Sequence, residues 1–145
     1  MGFKSIVAIF FLTFSGLVVA GALEEGEKAL EAKDYTTAAK WLRQAAEQGN
    51  AKAQMHLSGL YAQGRGGLPL DDAEAMRWAH KSAEQGYPAG EMYLGILYDV
   101  GLSTKKNPEE AARWFRKAAM NGHGMAQLTL GIAYATGRGV EQSKA

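Results

Sequence analysis

The chain has 145 residues, 47% of them hydrophobic and 21% charged, which suits one folded domain with a sizeable core and argues against global disorder. Its 16 basic and 15 acidic side chains give a formal charge of +1, and no patch of one sign runs beyond Lys105-Lys106 or Arg116-Lys117, so a nucleic-acid surface is not expected. Cysteine is absent, which removes disulfide stapling, thiolate metal sites and cysteine nucleophiles together.

The first segment, MGFKSIVAIFFLTFSGLVVAGA, carries Lys4, then an uncharged run from Ser5 and the small-x-small triplet Ala20-Gly21-Ala22. Charged start, apolar middle and small-residue end read as a secretory signal peptide over residues 1–22, cleaved after Ala22. The alternative is an uncleaved anchor, because the run from Ser5 to Leu23 is about membrane-spanning length. No cysteine follows the triplet, so a lipoprotein anchor is excluded. Losing Lys4 leaves 15 basic and 15 acidic residues, a mature chain 23–145 of zero formal charge that is expected in the periplasm or outside the cell. Leu23 to Lys33 then reads as a short helix with Leu23, Gly26, Ala29 and Leu30 near one face.

From there the chain repeats itself. AAKWLRQAAEQG at 38–49 returns as AMRWAHKSAEQG at 75–86 and as AARWFRKAAMNG at 111–122, at offsets of 37 and then 36 residues. The same offsets align Leu57, Leu94 and Leu130, then Tyr61, Tyr98 and Tyr134, then Gly64, Gly101 and Gly137. A period in this range signals stacked structural repeats, here near 34–70, 71–106 and 107–140. Each copy opens on Asp34, Asp71 or Asn107, whose short side-chain oxygens can accept from the free amides of a helix's first turn. Glu74 after Asp71 makes a capping box, and Pro108 after Asn107 is a first-turn proline. Ala38, Trp41, Leu42, Ala45 and Ala46 follow at the spacing of one buried stripe. Gly49, Gly86 and Gly122 end these helices, and second helices follow at 51–63, 88–100 and 124–136. Within those, Ser58, Gly95 and Gly131 are small where a helix interior disfavours glycine, which asks for close approach by a neighbouring helix. The loops 64–70 and 101–106 differ in length by one residue, with Gly67-Leu68-Pro69 as the insertion. The sum is an all-α solenoid of about seven short helices.

The order Leu57-Ser58-x-x-Tyr61-x-x-Gly64-x-Gly66, Asp71, Ala75, Trp78, Ala83 and Gln85-Gly86 resembles the Sel-one-like repeat (SLR), a relative of the tetratricopeptide repeat with a longer loop between its helices. The third copy keeps Leu130-Gly131-x-x-Tyr134-x-x-Gly137-x-Gly139-Val140, whereas the second has Gly101-Leu102-Ser103 and a loop expected to differ. The resemblance implies a helical scaffold for protein–protein contact, with the first helix of each pair on the concave face. Candidate partner-binding residues there are Met55 and Gln63, then Met92, Tyr93, Ile96, Asp99 and Val100, then Leu128, Ile132 and Thr136. A protein adaptor or regulator in the bacterial envelope is the expected function. The resemblance also offers an immunity protein against a secreted toxin, such as a type VI secretion lipase, and more remotely a cell-wall or β-lactam-acting hydrolase.

Catalytic chemistry has little footing. His56, His80 and His123 are the only histidines and no acidic cluster accompanies them, so no metal ligand set is expected, and no cofactor. Ser103-x-x-Lys106 matches the serine–lysine pattern of penicillin-recognising enzymes in letters only, because it falls in a loop without the partner motifs. Gly64-Arg65-Gly66-Gly67 lacks the Lys-Ser/Thr of a phosphate cradle. At the far end, Ser143 holds the N-cap slot of a further tryptophan helix that does not follow. Leu130, Ile132 and Tyr134 then lack their cover, and docking on another subunit or a partner is expected at that end.

Overall fold

The computed structural model describes the backbone of residues 3–140 and side chains from Gly16 to Val140, so the Lys4 side chain and the Ser143 N-cap slot lie outside what is described. Seven helices follow in order: α1 (Phe3–Glu31), α2 (Tyr35–Glu47), α3 (Ala51–Gln63), α4 (Asp72–Glu84), α5 (Pro88–Val100), α6 (Pro108–Met120) and α7 (Gly124–Thr136). Each packs on its chain neighbours, and α3 also touches α1 and α5, so these odd-numbered helices lie side by side in one layer. Among the described residues no helix is long and apolar enough to cross a membrane.

The capping residues act as their chemistry dictates. Asp34, Asp71 and Asn107 accept from the amides of Thr37, Glu74 and Glu110 at 3.1, 2.9 and 3.0 Å. Asn50 caps α3 in the same way, and His123 caps α7 through Nδ1 on the Ala126 amide at 3.2 Å. Tyr87 makes no side-chain cap, and Pro88 occupies the first turn of α5 instead. The first helix differs from the expected short one: α1 runs without a break from Phe3 through the Ala20-Gly21-Ala22 triplet to Glu31. Isolated glycines weaken a helix but do not stop it when good helix formers surround them. Its packed stripe is Ala22, Gly26 and Ala29, with Leu23 and Leu30 half-buried at its border.

The small-residue slots explain how the helices approach one another. The Ser58 hydroxyl donates to the Ala75 carbonyl of α4 at 2.6 Å. A Cβ at Gly95 would stand 2.5 Å from the Phe115 ring and 3.2 Å from the Ala111 carbonyl oxygen. Gly26 does the same for Leu42, whose side chain would lie 2.8 Å from an added Cβ. Gly131, the third copy's counterpart, has nothing among the described residues within 4 Å. Close packing therefore requires glycine at one position and merely tolerates it at the other. Gly131→Ala is expected to stabilise the fold by up to about 1 kcal/mol, the helix-propensity gain. Gly95→Ala is expected to destabilise it by about 1 kcal/mol or more, because overpacking outweighs that gain. Urea denaturation of the two variants checks the pair, and shifts of the same sign would contradict this packing.

A further link recurs in every copy. Arg43 donates to the Tyr61 hydroxyl oxygen at 2.8 Å, Arg116 to that of Tyr134 at 2.9 Å, and His80 Nε2 shares a 2.9 Å hydrogen bond with the Tyr98 hydroxyl. Each pair is 18 residues apart and ties an even helix to the next odd one. This slot, Arg, His and Arg in the three copies, is thus a structural tie, and His80 is half-buried in it, edge-on to Trp114 at 6.0 Å. The tryptophans themselves divide. Trp78 and Trp114 are buried, while Trp41, expected within the buried stripe, is half-buried with Lys40 5.2 Å from its ring centroid.

Candidate binding face

The odd-numbered helices carry the ten residues singled out from the sequence, and their positions recur from helix to helix. Met55, Met92 and Leu128 share one position; His56, Tyr93 and Thr129 the next; Gly59, Ile96 and Ile132 a third. Ala62, Asp99 and Ala135 share a fourth, and Gln63, Val100 and Thr136 a fifth. Burial relaxes along this face. Met55 and Met92 are half-buried, whereas Ile96 is 39% exposed, Val100 54%, Leu128 58% and Ile132 57%. Exposed aliphatic side chains of this size on one helical layer form an adaptable apolar surface.

Two recesses open on the face, and they are repeat-related. The first, of about 220 Å³, is lined by Leu30, Tyr35, Met55, His56, Gly59, Leu60, Gln63, Arg65 and Tyr93. The second, of about 80 Å³, takes Pro108, Thr129, Ile132, Ala133, Thr136 and Arg138 from the positions of Tyr35, His56, Gly59, Leu60, Gln63 and Arg65. It also takes Ala112, Phe115 and, from α5, Asp99. Of the expected residues, Met55, Gln63 and Tyr93 thus meet in the first recess and Asp99, Ile132 and Thr136 in the second. Met92, Ile96, Val100 and Leu128 lie on the same helices but line neither.

The two arginines were not expected, although GRG stands at both 64–66 and 137–139. The repeated tripeptide was the available signal, and it reads first as glycine spacing. Arg138 pairs with Asp99, at 2.8 Å to one carboxylate oxygen and 3.0 Å to the other. Arg65 instead stacks on the Tyr35 ring, its guanidinium carbon 4.6 Å from the centroid. The backbone of the same residue takes the loop's closest approach, where a Cβ at Gly66 would overlap the Tyr35 carbonyl oxygen.

Beside the first recess a cluster of charged and titratable groups joins α1 to α3. His56 Nε2 lies 3.5 Å from a Glu27 oxygen that also pairs with Lys52. Burial holds the His56 imidazole below its ordinary value, with the Glu27 charge opposing, so the neutral ring is favoured. Burial likewise pushes the Tyr93 phenol up, with the neighbouring Ser58 hydroxyl opposing. Elsewhere the buried carboxylate of Glu91 accepts from Asn121 Nδ2 at 3.0 and 2.9 Å. It occupies the position of Gln54, which accepts from Gln85 at 2.7 Å, so it serves packing between helices. Among the described residues no group of three or more His, Asp or Glu could hold a metal ion.

Comparison with known proteins completes the description. The family model described as Sel1 repeat matches residues 19–50, 51–87, 88–123 and 124–145. Its boundaries pair α1 with α2, α3 with α4 and α5 with α6, the pairs with the more extensive contacts, and begin a fourth unit at α7. The crystal structure of a Sel1 repeat protein from Oxalobacter formigenes is similar at 36% identity and a TM-score of 0.69, over 74% of this chain and 43% of that one. So is c5321, a protective antigen present in uropathogenic Escherichia coli strains displaying an SLR fold, at 36% identity and a TM-score of 0.78, over 86% of this chain and 27% of that one. The chain therefore spans less than half the length of either neighbour. Comparison with curated proteins gives no match.

Proposed function

We propose that this chain, which belongs to the Sel1 repeat family, is a non-catalytic protein-binding module that takes its partner on the odd-helix face. Repeats of this family generally mediate protein–protein contact, which sets the class. The observation that carries the choice of face is the run of exposed Ile96, Val100, Leu128 and Ile132 on α5 and α7, which share the recess at Asp99. Apolar surface left open on a folded stack is stabilised by burying it against a second molecule.

Export is part of the same reading, and the leader's composition supports it. Cleavage after Ala22 would keep Gly26, Ala29 and Leu30 against α2 and remove Val19 and Ala22 from the core around Leu42 and Leu57. An adaptor or regulator in the cell envelope fits these features.

The test is partner capture by crosslinking with the full chain, purified as expressed, and with an Ile96→Glu, Val100→Glu double variant. Both positions are exposed, so the thermal midpoint is expected to stay within a few degrees. Capture is expected to fall at least tenfold. Undiminished capture by a folded double variant would refute the choice of face.

A further inference from the structure

Arg65 and Arg138 occupy one position in two repeats, yet only one of them has a counter-ion. Beside Arg138 the preceding odd helix supplies Asp99; beside Arg65 the preceding odd helix supplies Leu30 to the recess. Among the described residues no carboxylate oxygen lies within ion-pair distance of Arg65, and its one ring contact is Tyr35. The first recess is also the roomier, about 220 against 80 Å³. Gly59 stands there where Ile132 fills the second, and Tyr93 of α5 closes its far side.

We propose that this first recess receives an acidic side chain of the partner protein, an aspartate or glutamate on Arg65, with a neighbouring apolar residue against Met55 and Tyr93. The inference rests on the odd-helix reading above and names the chemistry of what binds there. Stacking on Tyr35 holds the planar guanidinium in place, so less freedom is lost when its fork meets a carboxylate. The Asp99–Arg138 pair shows the same arginine position engaging a carboxylate from an adjacent helix. Gln63 and the Tyr93 hydroxyl can donate to the second carboxylate oxygen, and Met55 adapts to varied apolar shapes. Glu27 is not a competitor, because Lys52 holds it.

The experiment selects peptides from a phage-displayed random library on the full chain, internal to the coat protein so that no free C-terminus is offered. Enrichment of Asp or Glu next to an apolar residue is expected, and it should vanish on Arg65→Gln but persist on Arg138→Gln. A selected peptide, made with an amidated end, should bind at least tenfold more weakly after Asp→Asn. That loss should be absent on Arg65→Gln, which makes a double-mutant cycle. Selection without acidic bias, acidic peptides indifferent to Arg65→Gln, or no selectable peptide would each overturn the proposal. So would binding that requires a free C-terminal carboxylate. Peptides that ignore Arg65 but are lost on the Ile96→Glu, Val100→Glu variant would sink this inference and leave the choice of face standing.

Discussion

Replacing Trp78 with alanine is expected to remove about 3–5 kcal/mol of folding stability, the range for emptying a buried tryptophan site. The ring is 3% exposed and belongs to the cluster of Leu57, Leu60 and Tyr61, while Met76 and Ala79 of the same helix pack into the next cluster. Truncation therefore opens a cavity on the helix that joins two core clusters, where neither neighbour can collapse into it. Arg77 and Lys81 lie 4.5 and 4.7 Å from the ring centroid and would lose that surface as well. Since a domain of this size holds on the order of 5–15 kcal/mol in total, the variant should be largely unfolded in mild urea. Trp41→Ala is the internal comparison: its ring is half-buried, so the loss should be clearly smaller. Circular dichroism during urea titration measures both, and equal losses would show that the repeat position, rather than burial, sets the cost.

The second large effect lies in a loop. Gly66 has φ of +71°, and an added Cβ would overlap the Tyr35 carbonyl oxygen and stand 2.9 Å from the Ala39 Cβ. Gly66→Ala should cost about 3 kcal/mol or more, from left-handed backbone strain and from displacing the loop off α2. Gly67 separates these two causes. Its φ is +74° with nothing within 4 Å, so Gly67→Ala should cost only the backbone part, about 1–2 kcal/mol. If the two alanine variants melt together, the close approach contributes nothing.

That loop also shows what the sequence makes legible. The Gly-x-Gly of the first and third copies becomes Gly101-Leu102-Ser103 in the second, and a different loop was the natural expectation. Ser103 nevertheless adopts φ of +59°, the left-handed conformation of Gly66 and Gly139. The turn survives the change of residue; what glycine adds in the other copies is room for the helix-start carbonyls of Tyr35 and Pro108. The second helices at 51–63, 88–100 and 124–136 have the observed bounds, because caps and glycine stops are local chemistry. The unbroken α1, the half-buried Trp41 and the arginine-to-tyrosine ties were not legible. They depend on where a repeat sits in the stack and on pairs 18 residues apart, which periodicity within one helix does not report. The candidate face was readable by position, but its recesses were not. Leu30 and Asp99 decide them, each contributed by the preceding odd helix.

The uneven filling of the small-residue slots gives the array a direction. Ser58 and Gly95 are clasped by the helix that follows, while among the described residues Gly131 meets nothing and α7 buries Ala126 and Ala133. In a chain of nearest-neighbour contacts, opening begins where the last coupling is weakest. Among the described helices α7 should thus lose its amide-exchange protection soonest, so that the Leu128 and Ile132 surface is the first to loosen. A partner gripping that surface would act as a clamp, holding α7 against α6.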